Sequence, residues 1–308
     1  MAEIIQRDGS WAFDGTAVRI TPGLHRSVPL FRQTYGEIVV PLEAVAGVGY
    51  EPERRRGRLR MWLREGADPL LQATGGRLPE GADPYRLLVD ADRSGLAEYL
   101  VAEIRHALLL DRVPQGPAPV YLLPGPPVPV SVRSSDGTVS FDGTRVRIDW
   151  ADTSDRVKRA TGPRIIAVGD LVRVEWLPNS GREDGFLRFV TRETVGAKPP
   201  AEKDPYALDL WGGVQRDLLT ALVATAVTAR MPHPSAWADA GGAGRPQRWA
   251  AAVPARADPS DVLLRRLREL GELHRDGVLT DEEFARTKSV MLRGFQEGPS
   301  SAGPVRCG

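Results

Sequence analysis

Cysteine is almost missing: the 308-residue chain has one, Cys307, so no internal disulfide is open to it. A lone thiol near the end of a chain also cannot gather a metal site. Histidine is scarce. His25, His106, His233 and His274 stand apart, with no partner at ligand spacing, so no metal is expected. Charge of one sign is missing too. Lys plus Arg is 41 and Asp plus Glu is 40, a net charge of +1, so attraction to a polyanion or a membrane would need a local patch. Long apolar runs are absent. The most apolar stretch, Leu218 to Ala229, holds Thr220, Thr225 and Thr228 and falls short of the roughly twenty residues of a membrane span. The first residues, Met1 to Asp8, reach charges at once and have no apolar signal core, so a cytoplasmic address is expected. Catalytic signatures are missing as well: Gly-x-Ser-x-Gly and His-Glu-x-x-His do not occur. Gly241-Gly242-Ala243-Gly244 lacks the following Lys-Ser/Thr of a phosphate loop. No catalytic residue, cofactor or small-molecule substrate is expected, and the chain reads as non-enzymatic.

What is present is a duplication. Trp11-Ala12-Phe13-Asp14-Gly15-Thr16-Ala17-Val18-Arg19-Ile20 returns as Val139-Ser140-Phe141-Asp142-Gly143-Thr144-Arg145-Val146-Arg147-Ile148. Asp-Gly between alternating apolar runs predicts a two-residue hairpin of type I′, with φ > 0 at both Asp and Gly. The spacing between copies is 128 at Phe13/Phe141, 126 over Leu42–Pro52 and Val168–Pro178, and 121 at Asp83/Asp204. Gly57-Arg58-Leu59-Arg60 returns as Gly185-Phe186-Leu187-Arg188, and Asp83-Pro84-Tyr85 as Asp204-Pro205-Tyr206. The drift is expected to lie in loops, which tolerate deletions.

Within the first copy, a loop over 21–36 is followed by strands at Glu37–Leu42, Val45–Tyr50, Gly57–Arg64, Leu70–Ala73 and Tyr85–Val89. Leu96, Leu100, Ile104 and Leu108 then recur every four residues, which predicts a helix to Leu110. Residues 113–131 are proline-rich and predict an extended connector. The second copy ends in a helix over about Gly213–Arg230, and 233–258, rich in Ala and Gly, reads as a flexible linker. Leu263, Leu267 and Leu270 form one stripe, Gly277 breaks it, and Thr280-Asp281-Glu282-Glu283 is a capping box before Phe284. That is a helical hairpin over 259–294, with a disordered tail over 295–308.

The tandem Phe-Asp-Gly segments, each leading to Asp-Pro-Tyr and a helix, resemble an actinobacterial domain-of-unknown-function family with a pleckstrin-homology-like fold. Residues 261–292 resemble the SHOCT short C-terminal domain. The resemblance implies a mainly β (α+β) protein: two pleckstrin-homology-like strand barrels, at 1–112 and 132–232, each capped by a C-terminal helix, followed by a small two-helix hairpin. It implies oligomerisation or recruitment for the tail, with Leu263, Leu267, Leu270 and Phe284 as the candidate association surface. It transfers no catalytic residues.

The sharpest local feature is Arg54-Arg55-Arg56-Gly57-Arg58-Leu59-Arg60, with Arg64 beyond. Clustered guanidiniums can grip phosphate bidentately, so Arg54, Arg55, Arg56, Arg58 and Arg60 are the candidate anion-binding set. A solvated hairpin is the plain alternative. The second copy has Asn179-Ser180-Gly181-Arg182-Glu183-Asp184 there, so only the first copy is expected to carry an anionic contact. The resulting expectation is an interaction or scaffold protein that binds a protein partner, itself, or an anionic membrane surface from the cytoplasm. The alternative is weak nucleic-acid binding through the arginine hairpin and Arg265, Arg266 and Arg268.

Overall fold

Alternating apolar residues in the first copy build two antiparallel sheets. In the computed structural model, which describes residues 2–181, 183–197 and 199–238, the first sheet comprises β1 (Ala2–Gln6), β2 (Gly9–Phe13), β3 (Ala17–Pro22) and, after the short helix α1 (Leu30–Tyr35), β4 (Ile38–Pro41). The strands pair in chain order. Period-2 alternation turns Ile4, Trp11, Phe13, Val18, Ile20, Ile38 and Val40 inward. The second sheet holds β5 (Val45–Glu51) and β6 (Arg56–Leu63), then, beyond helix α2 (Pro69–Thr74), β7 (Arg86–Asp90). Helix α3 (Ser94–Leu110) packs on β5, β1 and β7 with Ala97, Leu100, Val101 and Ile104 buried.

The second copy repeats this order. A four-stranded sheet is formed by β8 (Val130–Arg133), β9 (Gly137–Phe141), β10 (Arg145–Trp150) and, past helix α4 (Arg156–Ala160), β11 (Arg164–Ala167). A three-stranded sheet follows, of β12 (Leu171–Leu177), β13 (Gly185–Thr191) and β14 (Ala207–Leu210). Helices α5 (Val214–Asp217), α6 (Thr220–Thr228) and α7 (Ser235–Ala238) end the described residues.

Five expectations are corrected. Each copy has two separate sheets rather than one closed barrel. Leu70–Ala73 is not a strand but the body of α2: Asp68 caps it by accepting from Leu70 and Leu71 N–H, and Pro69 sits in the first turn, where its missing N–H costs nothing. The loop over 21–36 contains α1. The helix over Gly213–Arg230 is broken at Leu218–Leu219 into α5 and α6. The Phe-Asp-Gly turn is not type I′, because only glycine has positive φ there, +106° at Gly15 and +107° at Gly143. Asp14 Oδ1 instead accepts from the Thr16 N–H, Thr16 hydroxyl and Ala17 N–H, and Asp142 does the same with Thr144 and Arg145. These hydrogen bonds hold both carboxyls below the usual aspartate range.

The fall in spacing from 128 at Gly57/Gly185 to 121 at Asp83/Asp204 marks seven extra residues in the first copy, and that excess holds α2. This helix packs on α6 and β12 of the second copy. Helix α6 is therefore covered by its own sheets on one side and by α2 on the other, and every one of its residues is buried. A helix enclosed on all faces has no polar stripe, which is why its sequence is a run of Ala, Val, Leu and Thr.

The proline-rich connector lies against the base of α2. Ala118 N–H donates to Glu65 O at 2.7 Å and Leu122 N–H to Ala67 O at 2.8 Å. Arg64, 8% exposed, spends its guanidinium on three backbone carbonyls: Glu43 O, Gly116 O and Pro117 O. His233 Nε2 bonds Gly66 O at 2.9 Å and its ring meets Tyr121 edge-on at 4.6 Å.

Candidate functional site

The arginine-rich segment sits on the β5–β6 hairpin, whose register pairs Tyr50 with Leu59 and Glu51 with Arg58. Period-2 alternation puts Leu59 and Met61 in the core and leaves Arg56, Arg58 and Arg60 on the outer face. Three of the five guanidiniums are already engaged. Arg56 Nε meets Asp90 Oδ1 at 2.8 Å. Arg58 is paired with Glu53, whose hydrogen bond and charge raise its pKa further. Arg60 lies over the Trp62 ring at 5.3 Å. Glu80, paired with Arg86, is held below the usual glutamate range, with Arg58 and Arg60 adding to the effect. Arg54 and Arg55, in the turn itself, are exposed and have no carboxylate partner among the described residues. The hairpin is thus a carboxylate-compensated stem with two unpaired guanidiniums at its tip. Arg64 does not belong to the set, since its charge is buried in the connector.

The corresponding turn of the second copy is a structural joint. Asn179 is buried, its Nδ2 donating to Gly212 O at 3.0 Å and Asp217 Oδ2 at 3.2 Å, while its Oδ1 receives Gly181 N–H at 2.8 Å. Residue 182 lies outside the described residues. So do Leu263, Leu267, Leu270 and Phe284, with Arg265, Arg266, Arg268 and the whole expected hairpin and tail.

A second arrangement, repeated in both copies, is absent from the sequence reading. In each copy a second Asp-Gly precedes the Phe-Asp-Gly turn, Asp8-Gly9 and Asp136-Gly137, and it forms the β1–β2 and β8–β9 turns. Gly9 (φ +152°) and Gly137 (φ +157°) leave room for a carbonyl: a Cβ would fall 2.6 Å from Thr21 O and 2.4 Å from Asp149 O. The preceding carboxylates reach the last strand of the other sheet, Asp8 Oδ2 accepting from Leu88 N–H at 3.2 Å and Asp136 Oδ2 from Asp209 N–H at 2.9 Å. Each also meets a buried cation from the short helix before the fourth strand. Asp136 is paired with Lys158, both virtually inaccessible, whereas Asp8 lies 3.5 Å from Arg32 Nη1. The repeat of Asp-Gly at a spacing of 128 was the available signal.

Asp68 is another buried carboxylate. It caps α2 and accepts the Tyr85 hydroxyl at 2.8 Å. Burial pushes its carboxyl up to about 6 against the lowering pull of those hydrogen bonds. Its charge in turn adds to the burial that raises the phenols of Tyr85, Tyr35 and Tyr121.

Two open grooves flank the sheets. One, about 410 Å³, is lined by Pro129, Phe141, Arg145, Arg147 and Ile165; the other, about 540 Å³, by Leu42, Val113, Pro119 and Leu122. Neither gathers an acid, a base and a nucleophile. Among the described residues no group of three or more His, Cys, Asp or Glu is placed to hold a metal ion, and no helix is long and apolar enough to cross a membrane.

The chain matches the family model described as Domain of unknown function (DUF4429) twice, over residues 11–105 and 139–228. No curated protein matches it in sequence. The two matched regions make up more than half of the chain, which therefore belongs to this family as a tandem member.

Proposed function

We propose that this tandem DUF4429 protein is a non-enzymatic interaction scaffold built on two pleckstrin-homology-like units, and that it contacts an anionic group through the tip of the β5–β6 hairpin. The observation that carries the reading is the pair of exposed, carboxylate-free guanidiniums at Arg54 and Arg55, beside three arginines that are neutralised or stacked. The four-plus-three strand order with a following helix supports the fold comparison. Arginine is suited to phosphate because its planar fork donates two parallel N–H groups. The stem carboxylates Glu53, Asp90 and Glu80 favour a compact anion, such as one lipid headgroup or a phosphorylated side chain, over a long phosphate backbone. Residues 259–294 serve self-association or recruitment in this reading.

Vesicle flotation tests the contact. The full chain should float with vesicles containing an anionic phospholipid and not with neutral ones, and Arg54→Glu/Arg55→Glu should abolish flotation while leaving the fold unchanged. Flotation that is absent in the wild type, or equal in the double variant, removes the membrane-facing form of the proposal.

A further inference from the structure

Arg32 is 4% exposed, and only its Nη1 faces a partner, Asp8, at the long distance of 3.5 Å. Its Nε and Nη2 are buried and meet no acceptor. These two atoms share one edge of the guanidinium and donate in parallel, the edge that grips an oxyanion through two oxygens. The Trp11 indole Nε1 is the remaining buried side-chain nitrogen without a partner among the described residues. A Cβ on Gly9 would fall 3.4 Å from Arg32 Nη2, which places the fork at the Gly9 end of β2, and Trp11 follows two residues on along the same inward face. A buried donor left unsatisfied is costly, more so when it is charged, and the Nε–Nη2 edge of Arg32 holds two of them.

The second copy is the internal control. Lys158 replaces Arg32 and is fully paired with Asp136, and Val139 replaces Trp11. Fork and indole are thus lost together where no acceptor is needed. Around the first-copy site, Gly23 N–H ties the following loop to Asp8 O at 3.0 Å, which brings Arg7 and His25 into contact beside the same turn, with Arg26 next in sequence. The carboxylate in that turn, Asp8, is partly exposed and accepts from Leu88 N–H.

We infer that the first copy binds a small oxyanion on the Nε–Nη2 edge of Arg32, with the Trp11 indole N–H as a further donor and Arg7 and His25 at its rim. This site is separate from the Arg54–Arg55 tip and does not depend on it.

The test uses inorganic phosphate on the full chain, at fixed pH and with ionic strength balanced by chloride. A ligand that binds only the folded state raises the melting temperature progressively with its concentration. Phosphate should do so for the wild type and for Arg54→Glu/Arg55→Glu. Arg32→Lys reproduces the second-copy brace, so it should fold and melt near the wild type without phosphate, yet lose the phosphate increment. Trp11→Phe keeps the ring and removes the N–H, and should reduce the increment even if Arg32→Lys proves poorly folded. No increment in the wild type would overturn the proposal, showing that water or Asp8 satisfies the edge. So would an increment unchanged in both Arg32→Lys and Trp11→Phe.

Discussion

Single residues in this protein act mainly by where their charge is buried. Asp68 shows the sign most clearly. Its carboxyl is pushed up to about 6 from an ordinary 3.8, with burial as the main cause. Between those pH values the folded protein holds a proton that the unfolded chain has released. Stability from this group therefore falls as pH rises through the window and is flat above it. The two-unit difference corresponds to about 3 kcal/mol. Asp68→Asn keeps a competent helix cap and should flatten the pH 4–6 portion of a urea-midpoint profile relative to wild type; an unchanged slope would show that Asp68 is charged at no cost in the fold. Asp14 and Asp142 have the opposite sign: their lowered carboxyls stabilise above the ordinary aspartate pKa, and that support is lost as pH falls through their folded values. The repeated braces give a second residue-scale prediction. Lys158→Met leaves Asp136 buried without its cation and should cost about 3–5 kcal/mol. Arg32→Met should cost less, since Asp8 retains 22% exposure and some hydration. Urea unfolding of the two variants decides it, and equal losses would contradict the asymmetry.

Among the elements, α2 has the largest consequence and was the least visible in the sequence. Leu70-Leu71-Gln72-Ala73 is too short to show a helical period and has the apolar content of a strand. What marks it as a helix is the Asp68-Pro69 start, a cap and a first-turn proline. By contrast β4, β5, β6, β7 and α3 were legible, because each keeps one face in its core long enough for the period to show. Helix α6 was visible as an apolar run, but its enclosure was not: the face opposite its own sheets is covered by a helix of the other copy, and no pattern within α6 reports that. At the candidate site the arginines were plain in the sequence. Of their carboxylate partners, Glu53 adjoins the run in sequence, whereas Asp90 comes from elsewhere in the chain and was not legible. Leu70 is fully buried in this element, and Leu70→Ala should lower stability by about 2–5 kcal/mol, measured from the shift in urea midpoint; a loss under half a kcal/mol would mean that α2 is not packed as described.

For the molecule as a whole, duplication supplied two equal frames and small differences gave them separate work. The second copy has a buried asparagine joint where the first has an arginine tip, and a paired lysine where the first has an under-partnered arginine. The seven-residue excess of the first copy places α2 on α6, so the two copies share one core rather than hanging on a loose linker. That shared core is the central claim, and hydrogen exchange by mass spectrometry on the full chain across a urea series tests it most directly. Peptides from β2–β3 and from β9–β10 should open globally at the same urea concentration and with the same dependence on it. If the β9–β10 peptides open at clearly lower or higher urea than the β2–β3 peptides, the copies unfold independently and α2 does not join them.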